Sequence, residues 1–528
     1  MAERLTVRAS VLAIQLAVAL PLFAAHTGSR PAPRHPAALE SAWLPTAAEA
    51  HSWVEVKNAN LPTLTGSPEW RRYVEFLEGE LRKAGVVDPL RNSWKFLRWD
   101  TSDTPLDWSL TSDGRPVRVA NYGAYSGSTG PQGITAPLVF WDPDAPPQSV
   151  QGKIVVIASR PHPHPPFTDD YLVNYTFNDY EYATDPETLR PSFTPVDPSW
   201  SFTFDTWYQL GQRLYEKPAS MGAAGVIVVH DMAFERASGM YTFLVPKLYN
   251  SPTLVLSRED GARVIADAKA GKTATLRLEA TVETATAYQL ITYLPGKDYG
   301  TPRDEQVVLV NHTDGPSISQ DNGALGILGI VRYYAHIPRE QRRRTLVIYL
   351  DCRHYMPGFE AAHKEVSWLN RFPEARKKIV GVVQLEHLGE LDYREVDGRV
   401  EPTGLPEQSY LWVRNNPLLI DAAITAVKSH GWRRAQVVAP ERPGIHGGRQ
   451  ELWWGVGVIA SRSTPYGCDV WHCLDVPAVG LGGFLGNYYS IHSGIDRWDV
   501  RQFLAQTATM TELTGVLMTA DLKKIRPK

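Results

Sequence analysis

The chain has 528 residues, 43% of them hydrophobic and 21% charged, with 54 basic side chains against 57 acidic ones. This is the composition of a folded globular protein too long for one small core, and its near-neutral balance supplies no basic field for nucleic acid. Forty glycines and forty prolines are spread along the chain, and the only cysteines are Cys352, Cys468 and Cys473, so collagen-like, low-complexity and disulfide-stapled architectures are excluded.

Residues 1–25 place Arg4 and Arg8 ahead of an apolar run from Val11 to Ala25, broken only by Gln15. The run is shorter than the roughly 20 residues that span a bilayer, and it ends in small alanines before a Pro-rich stretch, the pattern of a cleaved secretory signal. A secreted or periplasmic protein without a stable membrane span is expected. Cys468 and Cys473 lie close enough in sequence to close a small loop in such a compartment, which would leave Cys352 unpaired.

Residues 26–114 form a lead-in. There, SPEWRRYVEFLEGELRKAG sets Trp70, Tyr73, Phe76, Leu77 and Leu81 at helical spacing, with Gly85 as the stop. From 115 to 290 the text turns to short apolar strands separated by Gly, Pro and Asp, interrupted near 160–205 by a Pro- and aromatic-rich insertion. Three pieces, Gly152 to Ile157, Gly222 to Val229 and Pro252 to Gly271, resemble in order the strands and junctions of a protease-associated domain, which in other proteins shapes access to a catalytic domain.

Residues 291–528 repeat strand, loop and helix. Val307 to Val310, Thr345 to Leu350, Ile379 to Leu385 and Val476 to Leu481 read as continuous apolar strands, and Gly323 to Ile337 as a helix. Such alternation predicts an α/β fold with a doubly wound, mostly parallel sheet between helices on both faces, whose ligands bind beyond the carboxyl ends of the strands. Polar residues cluster at those ends: Asn311-His312-Thr313-Asp314, then Gln320-Asp321-Asn322-Gly323, then Glu386-His387, then His492. Two imidazoles and two carboxylates brought together there would suit a zinc ion, with Asp314 and Asp496 placed to orient His312 and His492.

The stretch VVLVNHTDGPSISQDNGALGILGIVRYYAHI resembles the signature of the secreted zinc aminopeptidases and glutamate carboxypeptidases, a clan that includes glutaminyl cyclases. The resemblance implies a three-layer αβα zinc-exopeptidase fold carrying the β-rich insertion. It implies zinc, one ion or two, with His312, Asp321, Glu386 and His492 as ligands, His387 as a competing one, and Asp321 shared between ions. The departure is at the Glu-Glu pair that in the family supplies the general base and a ligand. Here the strand runs into Asp351-Cys352-Arg353-His354, which puts Cys352 and Arg353 at those positions. Arginine stays protonated and cannot ligate a cation.

Candidates for the missing base are Asp351, His354 and His387, with Asp314 as an orienting group. Cys352 is a nucleophile, a zinc ligand or an inert buried thiol. Arg353, His446 and Arg449 are candidate substrate contacts. The leading expectation is an exported metal-dependent hydrolase cleaving an amide bond with metal-activated water. The alternatives are a metal-assisted cyclase or lyase on the same scaffold, or a catalytically inactive binding protein. The ligand would be a peptide or small amide, or a small aromatic or apolar molecule, and not nucleic acid.

Overall fold

Helices Ala47–Asn58 and Pro68–Lys83 open the described part of the chain. The second is the helix anticipated from the spacing of its apolar residues. Ser67 accepts a hydrogen bond from the Trp70 N–H, Pro68 occupies the first turn, where a missing N–H costs nothing, and Trp70, Tyr73, Leu77 and Leu81 are buried along one face. Gly85, at φ +89°, turns the chain out of it.

The computed structural model describes residues 38–101, 107–159, 176–179, 189–190, 214–241, 247–357, 364–407, 409–413, 416–438, 476–483 and 489–525. The signal-like segment, His446, Arg449, Cys468 and Cys473 lie outside the described residues.

A ten-stranded mixed sheet organises the chain. Its centre is parallel, in the order Thr345–Asp351, Gln306–His312, Ile379–Leu385 and Ala478–Gly483. Those are the four strands read from the sequence. The wings add antiparallel pairing. On one side Val87–Asp100 pairs with Thr281–Leu294, from Val87 opposite Tyr293 to Asp100 opposite Thr281, and the latter strand joins Thr345–Asp351. On the other, Ser409–Val413 runs antiparallel to Ala478–Gly483 and is followed by Ala435–Val438, Thr176–Asp179 and Leu189–Arg190.

The central strands are apolar without alternation because both of their faces are covered. Val307, Leu309, Leu346 and Ile348 pack in one core with Leu325 and Leu328 of helix Gly323–Ala335, Ile420 of helix Pro417–His430 and Leu513 of helix Val500–Thr519. Val308, Val310, Val347 and Tyr349 face the other way. They join a core with Trp368 of the short helix Trp368–Arg371 and with Ile154, Val226 and Leu254.

Those last three residues belong to a second, eight-stranded sheet. Its parallel part is Ile134–Phe140, Ile154–Ala158, Gly225–Val229 and Thr253–Leu256, covered by helix Arg258–Lys269, whose Ser257 cap accepts from the Asp260 N–H. The three segments that resemble a protease-associated domain all fall here. Strand Thr281–Leu294 runs from the end of this sheet into the large one. Among the described residues, no helix is long and apolar enough to cross a membrane.

Candidate functional site

The parallel strands end side by side, and each hands over a polar residue at its carboxyl end. Gln306–His312 ends on His312, and Thr345–Asp351 ends on Asp351. Glu386 follows Ile379–Leu385. The Thr313 N–H and hydroxyl both donate to the Asp351 carbonyl, at 2.9 and 2.8 Å, which locks the first two ends together. Helix Gly323–Ala335 begins against the third strand so closely that a Cβ on Gly323 would stand 1.9 Å from the Leu385 carbonyl oxygen. Only glycine permits that approach. Asn322 clamps the same junction, donating to the Leu388 carbonyl at 2.6 Å and accepting from the Leu388 N–H at 2.8 Å.

His312 is fully buried. Its Nδ1 lies 2.7 Å from the Asp314 carbonyl oxygen, its ring stacks on that of His354 with centroids 4.1 Å apart, and its Nε2 lies 3.6 Å from Glu386 Oε1. Nε2 makes no hydrogen bond. Burial by itself lowers the imidazole pKa, but the hydrogen bond to Asp314 and the charges of Glu386, Asp314 and Asp321 reverse this and push it up to about 9. The neighbouring rings go the other way. Burial, with the His312 charge, holds His387 down to about 3 and His354 well below the usual imidazole range. His387 adopts φ +58° and its Nδ1 accepts from the Gly483 N–H at 3.1 Å. Its Nε2 is 3.8 Å from Glu386 Oε2.

The carboxylates around this cluster are engaged by the chain itself. Asp314 accepts from the Thr65 hydroxyl at 2.9 Å and the Tyr355 N–H at 2.7 Å. Asp351 accepts from Arg353 Nε at 3.0 Å and Nη2 at 2.8 Å, from Gln289 at 3.1 Å, from the Tyr349 hydroxyl at 3.0 Å and from the Cys352 N–H at 2.7 Å. Burial raises the Asp351 pKa, yet the Arg353 guanidinium and these donors outweigh it and hold the carboxyl below its usual range. Arg353 is fully buried, so the structure places it on Asp351 inside the fold and not at a substrate-facing surface. Cys352 is buried as well, and burial with the adjoining Asp351 and Asp314 charges pushes its thiol up, keeping it protonated.

Asp321 has partners that sequence reasoning missed. Lys57, from helix Ala47–Asn58, places its Nζ on Asp321 Oδ1, and the Thr63 hydroxyl donates to Oδ2 at 3.0 Å. Lys57 Nζ is also 3.4 Å from Thr63 Oγ1 and 5.1 Å from the centre of the Tyr73 ring. Both side chains of the pair are 0% exposed. Burial lowers the ammonium pKa and raises the carboxyl pKa, each opposed by the partner's charge. No motif marks Lys57 in the sequence.

His312, Asp314, Asp321, Asp351, His354, Glu386 and His387 are thus gathered at the strand ends, together with Cys352 and Arg353. His492 is exposed, whereas the residues of that group are buried. Ile491 N–H donates to the Gly239 carbonyl and Tyr241 N–H to the Tyr489 carbonyl, so this segment runs along residues 239–241. The exposed His492 ring lies against Gly239, where a Cβ would meet its Cδ2 at 2.5 Å.

No protein-family model matches the sequence, and no curated protein matches it. Solved structures do match the fold. An aminopeptidase from Aneurinibacillus sp. strain AM-1 aligns over 92% of this chain and 96% of its own, at 13% identity and a TM-score of 0.52. A zinc aminopeptidase from Bacillus subtilis aligns over 92% and 99%, at 15% identity and 0.53. The chain has the aminopeptidase fold. A peptidase M28 precursor from Shewanella amazonensis SB2B, at 15% identity and 0.57 over 91% and 97%, shares it.

This fold suggests zinc, and the donor set here tests the suggestion. A zinc centre needs three or four side-chain donors with lone pairs free to coordinate. Asp321 takes the Lys57 ammonium on Oδ1 and the Thr63 hydroxyl on Oδ2, and Asp351 is held by Arg353. Among the described residues no three His, Cys, Asp or Glu side chains are gathered so as to hold a metal ion. The residues present do not fit a pair of zinc ions.

Proposed function

We propose that this chain uses the aminopeptidase scaffold to recognise an amide-containing ligand, a peptide end or a small amide, beyond the carboxyl ends of its parallel strands, without hydrolysing it through two metal ions. The observation that carries this reading is the commitment of the carboxylates. Asp351 is held by a bidentate Arg353, Asp321 by Lys57, and Asp314 by Thr65 and backbone N–H groups. A general base must be able to accept a proton from water, and general-base help is worth typically 10²- to 10⁴-fold. Asp351, whose carboxyl the Arg353 guanidinium holds below its usual range, is a poor proton acceptor. The sequence of residues 1–25 adds export to the proposal.

A second reading, an exported zinc-dependent amide hydrolase, is favoured by one observation: the buried His312 Nε2 makes no hydrogen bond and faces Glu386 at 3.6 Å. Turnover of aminoacyl anilides and dipeptides by the full chain, with and without chelator, separates the two. Calorimetry with the same compounds completes the test. Binding without turnover is the expected result. Turnover abolished by chelator would establish the second reading in its place.

A further inference from the structure

The parallel strands also start side by side, with Gln306 opposite both Thr345 and Ile379. At this amino edge, the opposite end from the strand-end site, lies an open groove of about 780 Å³. Lys297, Arg303, Arg343, Lys377 and Lys378 line it, together with Pro302, Val380 and Leu522. Four carboxylates share the groove, and the chain answers each. Glu305 meets the buried Arg344 at 2.8 Å, Glu374 meets Lys377 at 2.8 Å, and Asp298 lies 3.5 Å from Arg303. The buried Asp304 accepts from the Thr345 hydroxyl at 2.6 Å and from Gln306 at 2.8 Å, with Lys378 3.9 Å away.

Two cations are left over. Lys297 and Arg343 are exposed, and among the described residues neither meets a carboxylate; Arg343 donates only to the Thr519 carbonyl, at 2.9 Å. Two further guanidiniums have their hydrogen bonds on carbonyl oxygens, Arg339 on Gly296 and Tyr299, and Arg342 on Pro295, Tyr334 and Ile337. These bonds fix the turn that carries Lys297, whose N–H donates to the Arg342 carbonyl at 2.8 Å. Glu340 and Asp521 offset Arg342 and Arg344 in part. Like charges gathered in this way repel one another, and one multiply charged anion relieves several at once.

We infer that this groove binds a ligand carrying clustered phosphate groups, held by Lys297 and Arg343. Phosphate oxygens accept charge-assisted hydrogen bonds from both side-chain types, and the exposed pairs at Lys377 and Arg303 can turn toward the same anion because such surface pairs are weak. A lone carboxylate would satisfy one cation and leave most of the groove empty. The phosphates belong to a soluble polyphosphorylated molecule or to anionic lipid headgroups. The inference is independent of what the strand-end site binds.

The experiment is calorimetry of the full chain with sodium tripolyphosphate, beside co-sedimentation with phosphatidylglycerol vesicles against phosphatidylcholine vesicles as the blank. Saturable binding of tripolyphosphate is expected, weakened about tenfold or more in Lys297→Gln/Arg343→Gln and weakened again by high salt. Both side chains are exposed, so the circular dichroism of that variant should match wild type. Lys95→Gln/Lys269→Gln removes the same charge from other exposed positions and is expected to bind as wild type does. Vesicle binding that depends on Lys297 and Arg343, without binding of tripolyphosphate, would support the inference and assign the phosphates to lipid headgroups. Binding of neither probe overturns it. So does binding that Lys297→Gln/Arg343→Gln leaves intact, or that Lys95→Gln/Lys269→Gln weakens equally.

Discussion

His312 and His230 are both buried imidazoles, and their surroundings drive them in opposite directions. His312 ends a strand of the large sheet beside Asp314 and Glu386, and is pushed up to about 9 against the effect of burial. His230 follows strand Gly225–Val229 of the second sheet with its Nδ1 unbonded, and burial alone takes it down to about 4. The difference shows how the two sheets are built. The carboxyl edge of the large sheet buries charge and compensates it residue by residue, while the second sheet is held by Ile154, Val226, Leu254, Leu276 and similar apolar residues.

The largest effects should come from breaking that compensation. Arg353→Met leaves Asp351 buried without its cation, and denaturant unfolding should show a loss of about 3–5 kcal/mol. A loss under about 1 kcal/mol would mean that Gln289, Tyr349 and the Cys352 N–H suffice. In the second sheet the matching experiment is a cavity: Leu276→Ala, at a fully buried position, should cost about 2–5 kcal/mol with no dependence on pH.

A pH titration sharpens the contrast. The folded pKa of His230 is depressed, so its contribution to stability is complete above the unfolded value of about 6.5 and is lost as pH falls toward 4, by roughly 3 kcal/mol in all. His230→Leu should flatten that acid limb in urea melts at pH 7 and pH 5. An unchanged slope would put the acid sensitivity elsewhere. The smallest effect is expected at the surface, where Arg98 meets Glu283, a residue 59% exposed, across the wing strands. Glu283→Gln should cost less than about 1 kcal/mol and should fade in high salt.

Much of the fold could be read along the chain because the pieces that build it are local. Helix Pro68–Lys83 announces itself by apolar spacing and a Ser-Pro start, and the four parallel strands by uninterrupted apolar runs. The antiparallel wing was not legible, since Val87–Asp100 pairs with Thr281–Leu294 across a whole intervening sheet, and alternation within one strand does not name its partner. Of the site, His312, Asp321 and Glu386 could be singled out because strand ends are where such a sheet presents its ligand-facing residues. Lys57 could not, because a lysine on a helix is ordinarily solvated and nothing nearby marks this one as buried.

The sequence by itself determined the class of the fold and the places where the central strands end, since each depends on residue type and short-range order. Tertiary structure alone decided which cation meets which carboxylate. It set Lys57 on Asp321 and Arg353 on Asp351, and it laid His492 against Gly239. Charge compensation in a buried site depends on distance through space, and residues far apart in the chain acquire that distance only when the sheets and helices close around them.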